Sequence, residues 1–182
     1  MLRRCNILAV ALTFVTALFS AECRGAAPVV TFCRGMCDAS AVVMLGCEHF
    51  VVADDEDNTL RVYSRTQSGA PLQNFDLSSF LQVDPQSPEV DLEGVAPLGD
   101  RVYWISSHAR NRSGKERVSR RRFFATTLSV SSGAVDLKPV GVPYLNLLAD
   151  LLKEPRLKPF NLAAAARRAP KSRNALNIEG LC

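Results

Sequence analysis

Histidine occurs twice in the 182 residues, as His49 and His108, and aromatic residues make up 7% of the chain. After the first apolar run near the N-terminus, no second run is long enough to cross a membrane, which argues against an integral-membrane body. No glycines flank Ser106 or Ser107 in the pattern of a nucleophile elbow, so a hydrolase triad built on His108 has no local signature. The acidic run "DDEDN" at 54–58 lacks the glycine and the distant glutamate of an EF-hand loop. The basic stretch from Arg110 to Arg122 contains no aromatic side chain on which bases could stack, which argues against specific nucleic-acid recognition. The net charge of +4 is modest and sits largely in that stretch, so it implies no nucleic-acid partner for the chain as a whole.

What is present is the composition of one globular domain, with 47% apolar and 22% charged residues. The N-terminus reads as an export signal over residues 1–25. Arg3 and Arg4 supply its positive end, and Ile7 to Phe19 is an apolar run of signal-peptide length. Cleavage after Ser20 or after Gly25 fits equally, and either leaves an exported, periplasmic or extracellular protein with no membrane attachment once the signal is removed; an uncleaved anchor, a lipoprotein at Cys23 and a twin-arginine signal on Arg3 and Arg4 are the alternatives. Export changes the reading of the cysteines. Two of Cys33, Cys37 and Cys47 could form a disulfide in an oxidising compartment. Free thiols and a zinc site with His49 are the alternatives, although the spacing is uncommon for zinc.

An internal repeat organises the rest. "DASAVVMLGCEHFVVADD", from Asp38 to Asp55, lies over "DLEGVAPLGDRVYWISSH", from Asp91 to His108, at a constant offset of 53 residues without a gap. Each copy predicts a hairpin: an acidic start, a short apolar strand, a Leu-Gly turn, and a β-branched and aromatic return strand that is apolar on both faces. "NIEGL" at 177–181 matches "DLEGV" as the start of a third copy. Between the copies "TLRVYS" predicts a half-exposed strand, with Arg61 and Tyr63 outward, and "LQNFDL" completes a four-stranded meander. The second unit continues through "RFFATTLSV" and "VDLKPVG". Helices are expected in "PYLNLLADLL" and in "NLAAAARRAP" after an Asn161 cap.

The expected fold is therefore mainly β, in one domain over 28–182. It is a partial, propeller-like array of antiparallel meander blades at 38–90 and 91–176, with a helical insertion near the C-terminus and a third unit starting at 177. Propellers close with roughly four to eight blades, so "NIEGLC" reads as a break inside a longer array.

The ordered motifs "GMCDASA", "FVVADDEDNTLRVY", "DLEGVAPLGDRVYWISSHARN", "RRRFFAT" and "LNIEGL" resemble the exported bacterial domain of unknown function 3616 family. That family is similar in style to six-bladed propellers with phytase-like esterase members. The resemblance covers about Gly35 to Leu181 and implies the N-terminal part of a longer propeller, with no established activity. Ala109 stands where the pattern leads one to expect glycine.

Three constellations are candidates for chemistry. Asp38, Glu93 and Glu179 hold neighbouring repeat positions, and Asp55 ends a following strand. If the repeats are radial, Asp38, Asp55, Glu93 and Glu179 converge into an oxygen-rich site for Ca2+ or Mg2+, although capping of turns and strand starts accounts for the same residues. Arg110, Asn111 and Arg112 open the basic stretch 110–122, which would suit a phosphate or another anion. The stretch also reads as a solvated arm, so that replacing Arg120, Arg121 and Arg122 should change stability little. His108, with Glu93, is a candidate general acid or base. These features favour an exported scaffold that binds a small molecule or a protein. The alternative is a divalent-cation-dependent phosphoesterase, in which the cation activates water against a phosphoester held by Arg110 and Arg112.

Overall fold

In the computed structural model, residues 30–182 are described, and the expected signal at 1–25 lies outside them. The runs of β-branched and small apolar residues become strands wherever a turn separates them. β1 (Ala39–Leu45), β2 (His49–Asp54), β3 (Thr59–Ser64) and β4 (Gln73–Asp76) form one antiparallel sheet in sequence order. A short α1 (Ser78–Leu81) leads to the second sheet. It is built in the same way from β5 (Leu92–Leu98), β6 (Arg101–Ser106), β7 (Phe123–Ser131) and β8 (Ala134–Tyr144). The fold is thus mainly β, two four-stranded antiparallel sheets with a few short helices.

One hydrophobic cluster joins the sheets. The first contributes Ala41, Val43, Val51, Ala53, Leu60 and Val62, and the second contributes Leu92, Val102, Trp104, Phe124 and Leu137. Alternation along each strand explains the choice: Val43 pairs with Val51 and Val51 with Val62, so all three share one face. Trp104 is fully buried at the centre of the cluster, and its indole N–H donates to Thr126 Oγ1 at 3.0 Å, which satisfies its polar atom.

The two hairpins share one irregularity, and their registers correct the gapless alignment. Both first strands carry an irregularity at the same place, between Ala39 and Ala41 and between Leu92 and Gly94, an offset of 53. In the return strands the offset is 52, because Ala39 pairs with Asp54 while Leu92 pairs with Ser106. Three residues turn the first hairpin and two turn the second, so Phe50, Val51 and Val52 correspond to Val102, Tyr103 and Trp104. Both turns begin on a glycine in the left-handed region, Gly46 at φ 62° and Gly99 at φ 63°. The backbone confirms the shift: Asp55 N donates to Asp38 O at 3.1 Å, and Ser107 N donates to Asp91 O at 2.9 Å.

Three further expectations are corrected. Tyr63 is 1% exposed. Its hydroxyl donates to Arg34 O at 2.8 Å, so the segment before β1 covers the face expected to be open. The helix expected from Tyr144 begins later, as α2 (Leu147–Leu151), because Tyr144 still pairs with Phe123 at the end of β8. Pro155 and Pro159 favour a 3-10 turn at Pro155–Phe160. Asn161 at φ 49° ends that turn without a side-chain cap bond, which leaves α3 only Leu162–Ala165.

The "NIEGL" segment makes no regular strand, but it lies along β5. Ile178 N donates to Ser107 O at 2.9 Å. A Cβ added to Gly94 would stand 2.7 Å from Gly180 C, so only glycine permits this approach.

Candidate carboxylate site

The shared acidic start of each hairpin gathers carboxylates. Oxygens of Asp55, Asp91 and Glu93 lie within 4.8 Å of one another. Asp55 follows β2 and is tied by its backbone to Asp38. Asp91 precedes β5 in a left-handed conformation, φ 62°, and its carbonyl holds the end of β6. Glu93 occupies the irregular position of β5 that Ser40 occupies in β1, where the extra residue re-aims a side chain.

Charge makes this arrangement costly. Burial, followed by repulsion from Asp91, Glu179, Asp55 and Asp38, pushes the Glu93 carboxyl up to about 7. Burial, followed by Asp38, Asp91, Glu56 and Asp54, pushes Asp55 up to about 6. Asp55 Oδ1 is buried and has no hydrogen-bond partner. Arg120 offsets part of the negative charge, with its guanidinium 2.8 Å from Asp91 Oδ2 and also bonded to Glu89. Asp54 is occupied structurally, since its carboxylate accepts from the backbone N–H of Cys37, Asp38 and Glu56.

Of the four carboxylates expected to converge, Asp55 and Glu93 stand together with Asp91, while Asp38 and Glu179 lie outside that group as neighbouring charges. Sequence reasoning missed Asp91 as a member and Arg120 as its counter-ion. Asp91 was legible as the repeat partner of Asp38, whereas nothing in the sequence pairs Arg120 with it.

The other candidates lie elsewhere. His108 is 3% exposed, and its Nδ1 meets Ser106 O at 2.8 Å. With the proton on Nδ1, Nε2 is an acceptor, buried and without a partner. Burial holds His108 below the ordinary imidazole value, aided by Arg121 and Arg122; Glu93 is not among its hydrogen-bond partners.

The basic stretch is a structural loop rather than a solvated arm. Arg122 is 3% exposed. Its guanidinium donates to Leu81 O at 2.6 Å, Gln82 O at 2.8 Å, Val118 O at 2.9 Å and Arg121 O at 3.1 Å. Arg121 pairs with Glu116. Arg110 donates to Ala166 O and Gly114 O, both at 3.1 Å, and Asn111 Oδ1 accepts from Ser113 and Lys115 within its own loop. Arg112 is exposed. Cys33, Cys37 and Cys47 carry free thiols.

The family described as "Protein of unknown function (DUF3616)" matches residues 38–129. The chain belongs to this family. For the DUF3616 chain the matched span runs from Asp38 into β7. It includes both hairpins and Asp55, Asp91 and Glu93, and excludes Glu179. No solved structure matches the chain.

Proposed function

We propose that this chain is an exported, propeller-like binding scaffold whose clustered carboxylates hold a divalent cation, Ca2+ or Mg2+, beside the site where a small molecule or protein ligand docks. The repeated meander units and their stacking at β1 and β5 support the propeller-like reading. The observation that carries the cation is the convergence of Asp55, Asp91 and Glu93 oxygens within 4.8 Å, with one Asp55 oxygen buried and unpartnered. Hard cations take carboxylate oxygens, and a cation would relieve the repulsion that raises Glu93 and Asp55. Export rests on Arg3, Arg4 and the Ile7–Phe19 run. The phosphoesterase alternative gains no support from Arg110, whose guanidinium is held by two carbonyls.

The test is thermal or denaturant unfolding of the purified chain, first stripped with a chelator and then titrated with Ca2+ or Mg2+. A ligand that binds the native state alone stabilises by about 2.7 kcal/mol at a hundredfold excess over Kd. A saturable rise in the midpoint is expected, and Glu93→Gln and Asp55→Asn should lose it. An unchanged midpoint up to about 10 mM, well above the roughly 10⁻⁴–10⁻³ M range of weak extracellular calcium modules, sinks the cation reading.

A further inference from the structure

Two stretches far apart in the chain gather positive charge in one place. Arg110 Nε donates to Ala166 O at 3.1 Å, and a Cβ added to Gly114 would stand 3.9 Å from that of Ala169, so the loop 110–117 lies against the segment 166–174. Eight of the chain's 22 basic residues fall in these two stretches, with one of its 18 acidic residues, Glu116, so the rest of the chain is net acidic. Glu116 is taken by Arg121. Arg112, Lys115, Arg167, Arg168, Lys171 and Arg173 are exposed, and none of them forms an ion pair among the described residues. Apolar surface adjoins this charge. α2 and the 3-10 turn at Pro155–Phe160 leave an open groove lined by Leu147, Leu151, Leu157 and Phe160, with Arg156 beside them. A second groove shares Leu151 and Leu157 and adds Leu162 and Lys158. Phe160 is 67% exposed and Leu152 43%. The acidic residues of the first groove, Asp150 and Glu154, are paired with Lys153 and Arg156. From Pro155 through α3 to Ile178 the chain carries no acidic residue.

We propose that the stretches 110–117 and 147–173 dock this protein on an anionic phospholipid surface, the cations meeting headgroup phosphates while Phe160 and Leu152 enter the acyl boundary. Charge complementarity and apolar surface together name the occupant. A soluble polyanion would meet the cations but leave Phe160 and the leucines in water. A zwitterionic membrane would take those apolar side chains but offer the cations no excess of negative charge. An anionic bilayer offers phosphate and hydrocarbon within the depth of one side chain, which is the chemistry that basic and apolar surfaces bind together. The contact lies on the membrane surface and spans nothing, and it departs from the expectation that the chain without its signal has no membrane attachment. It goes beyond the cation site, whose carboxylates Asp55, Asp91 and Glu93 lie in neither stretch.

Co-sedimentation with vesicles tests this. The chain is used without residues 1–25, because the apolar run there would itself enter lipid, and Thr31–Cys182 is a compact unit of its own. The expected result is binding to phosphatidylcholine vesicles that contain about 30% phosphatidylglycerol, and binding at least about tenfold weaker to pure phosphatidylcholine. Each cation near such a surface strengthens partition roughly fivefold, so Arg167→Gln, Lys171→Gln and Arg173→Gln together should weaken it about a hundredfold. Phe160→Ser should weaken it about tenfold through lost apolar burial. All four side chains are exposed, so both variants should keep the far-UV circular dichroism of the parent; if Phe160→Ser does not, Leu152→Ser takes its place. No binding to the anionic vesicles overturns the proposal, as does equal binding to the two kinds of vesicle or a triple variant that binds like the parent. If Phe160→Ser binds like the parent while the triple variant does not, the stretch is a site for a soluble polyanion and the lipid reading falls.

Discussion

Arg122 shows how a single side chain changes role between sequence and structure. In "RRR" it is one of three adjacent arginines, but in the fold its planar guanidinium binds four backbone carbonyls and joins the end of α1 to the loop before β7. Arg122→Ala leaves those carbonyls unsatisfied in a buried place, and a loss of about 2–4 kcal/mol is expected in denaturant unfolding. Arg122→Lys should recover only part of it, because an ammonium cannot reproduce the fork. A change within about 0.5 kcal/mol for the alanine variant would return the stretch to the solvated reading. His108 is expected to give stability a pH dependence. Its folded value lies below the ordinary 6.5, so the unfolded chain takes up the proton first. The His108 contribution is therefore full above about pH 6.5 and declines as pH falls below it. Denaturant midpoints compared between pH 7.5 and 5.5 should fall less in His108→Gln than in the parent. Glu93 has the opposite sign. Its value is raised to about 7, so its contribution is present at pH 4.5 and below and is lost as pH rises through about 7. In chelator at pH 8, Glu93→Gln should be more stable than the parent, and at pH 4 the difference should vanish.

At the scale of elements, each hairpin opens on an irregular first strand, and in the second hairpin that strand does the positioning. The break in register between Leu92 and Gly94 brings Glu93 toward Asp55 and Asp91 and sets Gly94 against the terminal segment. The same close approach makes Gly94 a sensitive position. In Gly94→Ala the new Cβ would meet backbone at 2.7 Å and Ile105 Cγ2 at 2.8 Å, so the 177–181 segment must move away. Hydrogen exchange at Ile178, whose N–H donates to Ser107 O, should accelerate in the variant while exchange in β2 and β3 stays as it was. Equal protection of Ile178 in both proteins would mean that the segment is not held at Gly94. The strands themselves were legible, because β-branched runs bounded by turns leave little alternative. The helices were less so: Tyr144 and Leu145 fit an apolar helical pattern, but pairing with β7 holds Tyr144 in β8.

At the scale of the molecule, the single tryptophan sits in the cluster shared by both sheets, so its fluorescence reports their contact. If the sheets unfold as one unit, the Trp104 emission transition and the far-UV circular dichroism transition should coincide in urea. Separate midpoints would show that the sheets come apart before either melts.

The amino-acid sequence by itself determined the β class and the four-stranded units, because strand periodicity and turn glycines are local properties of the chain. It also singled out Asp55 and Glu93, which stand together within 4.8 Å with Asp91, whereas Asp38 and Glu179, expected with them, are not in that group. Only the tertiary structure decided what those positions do. The one-residue difference between the hairpin turns is a matter of pairing register. The recruitment of Asp91, its neutralisation by Arg120 and the burial of Arg122 depend on loops that meet across the fold. Burial and neighbouring charge, which set Glu93 high and His108 low, exist only once distant parts of the chain exclude water together.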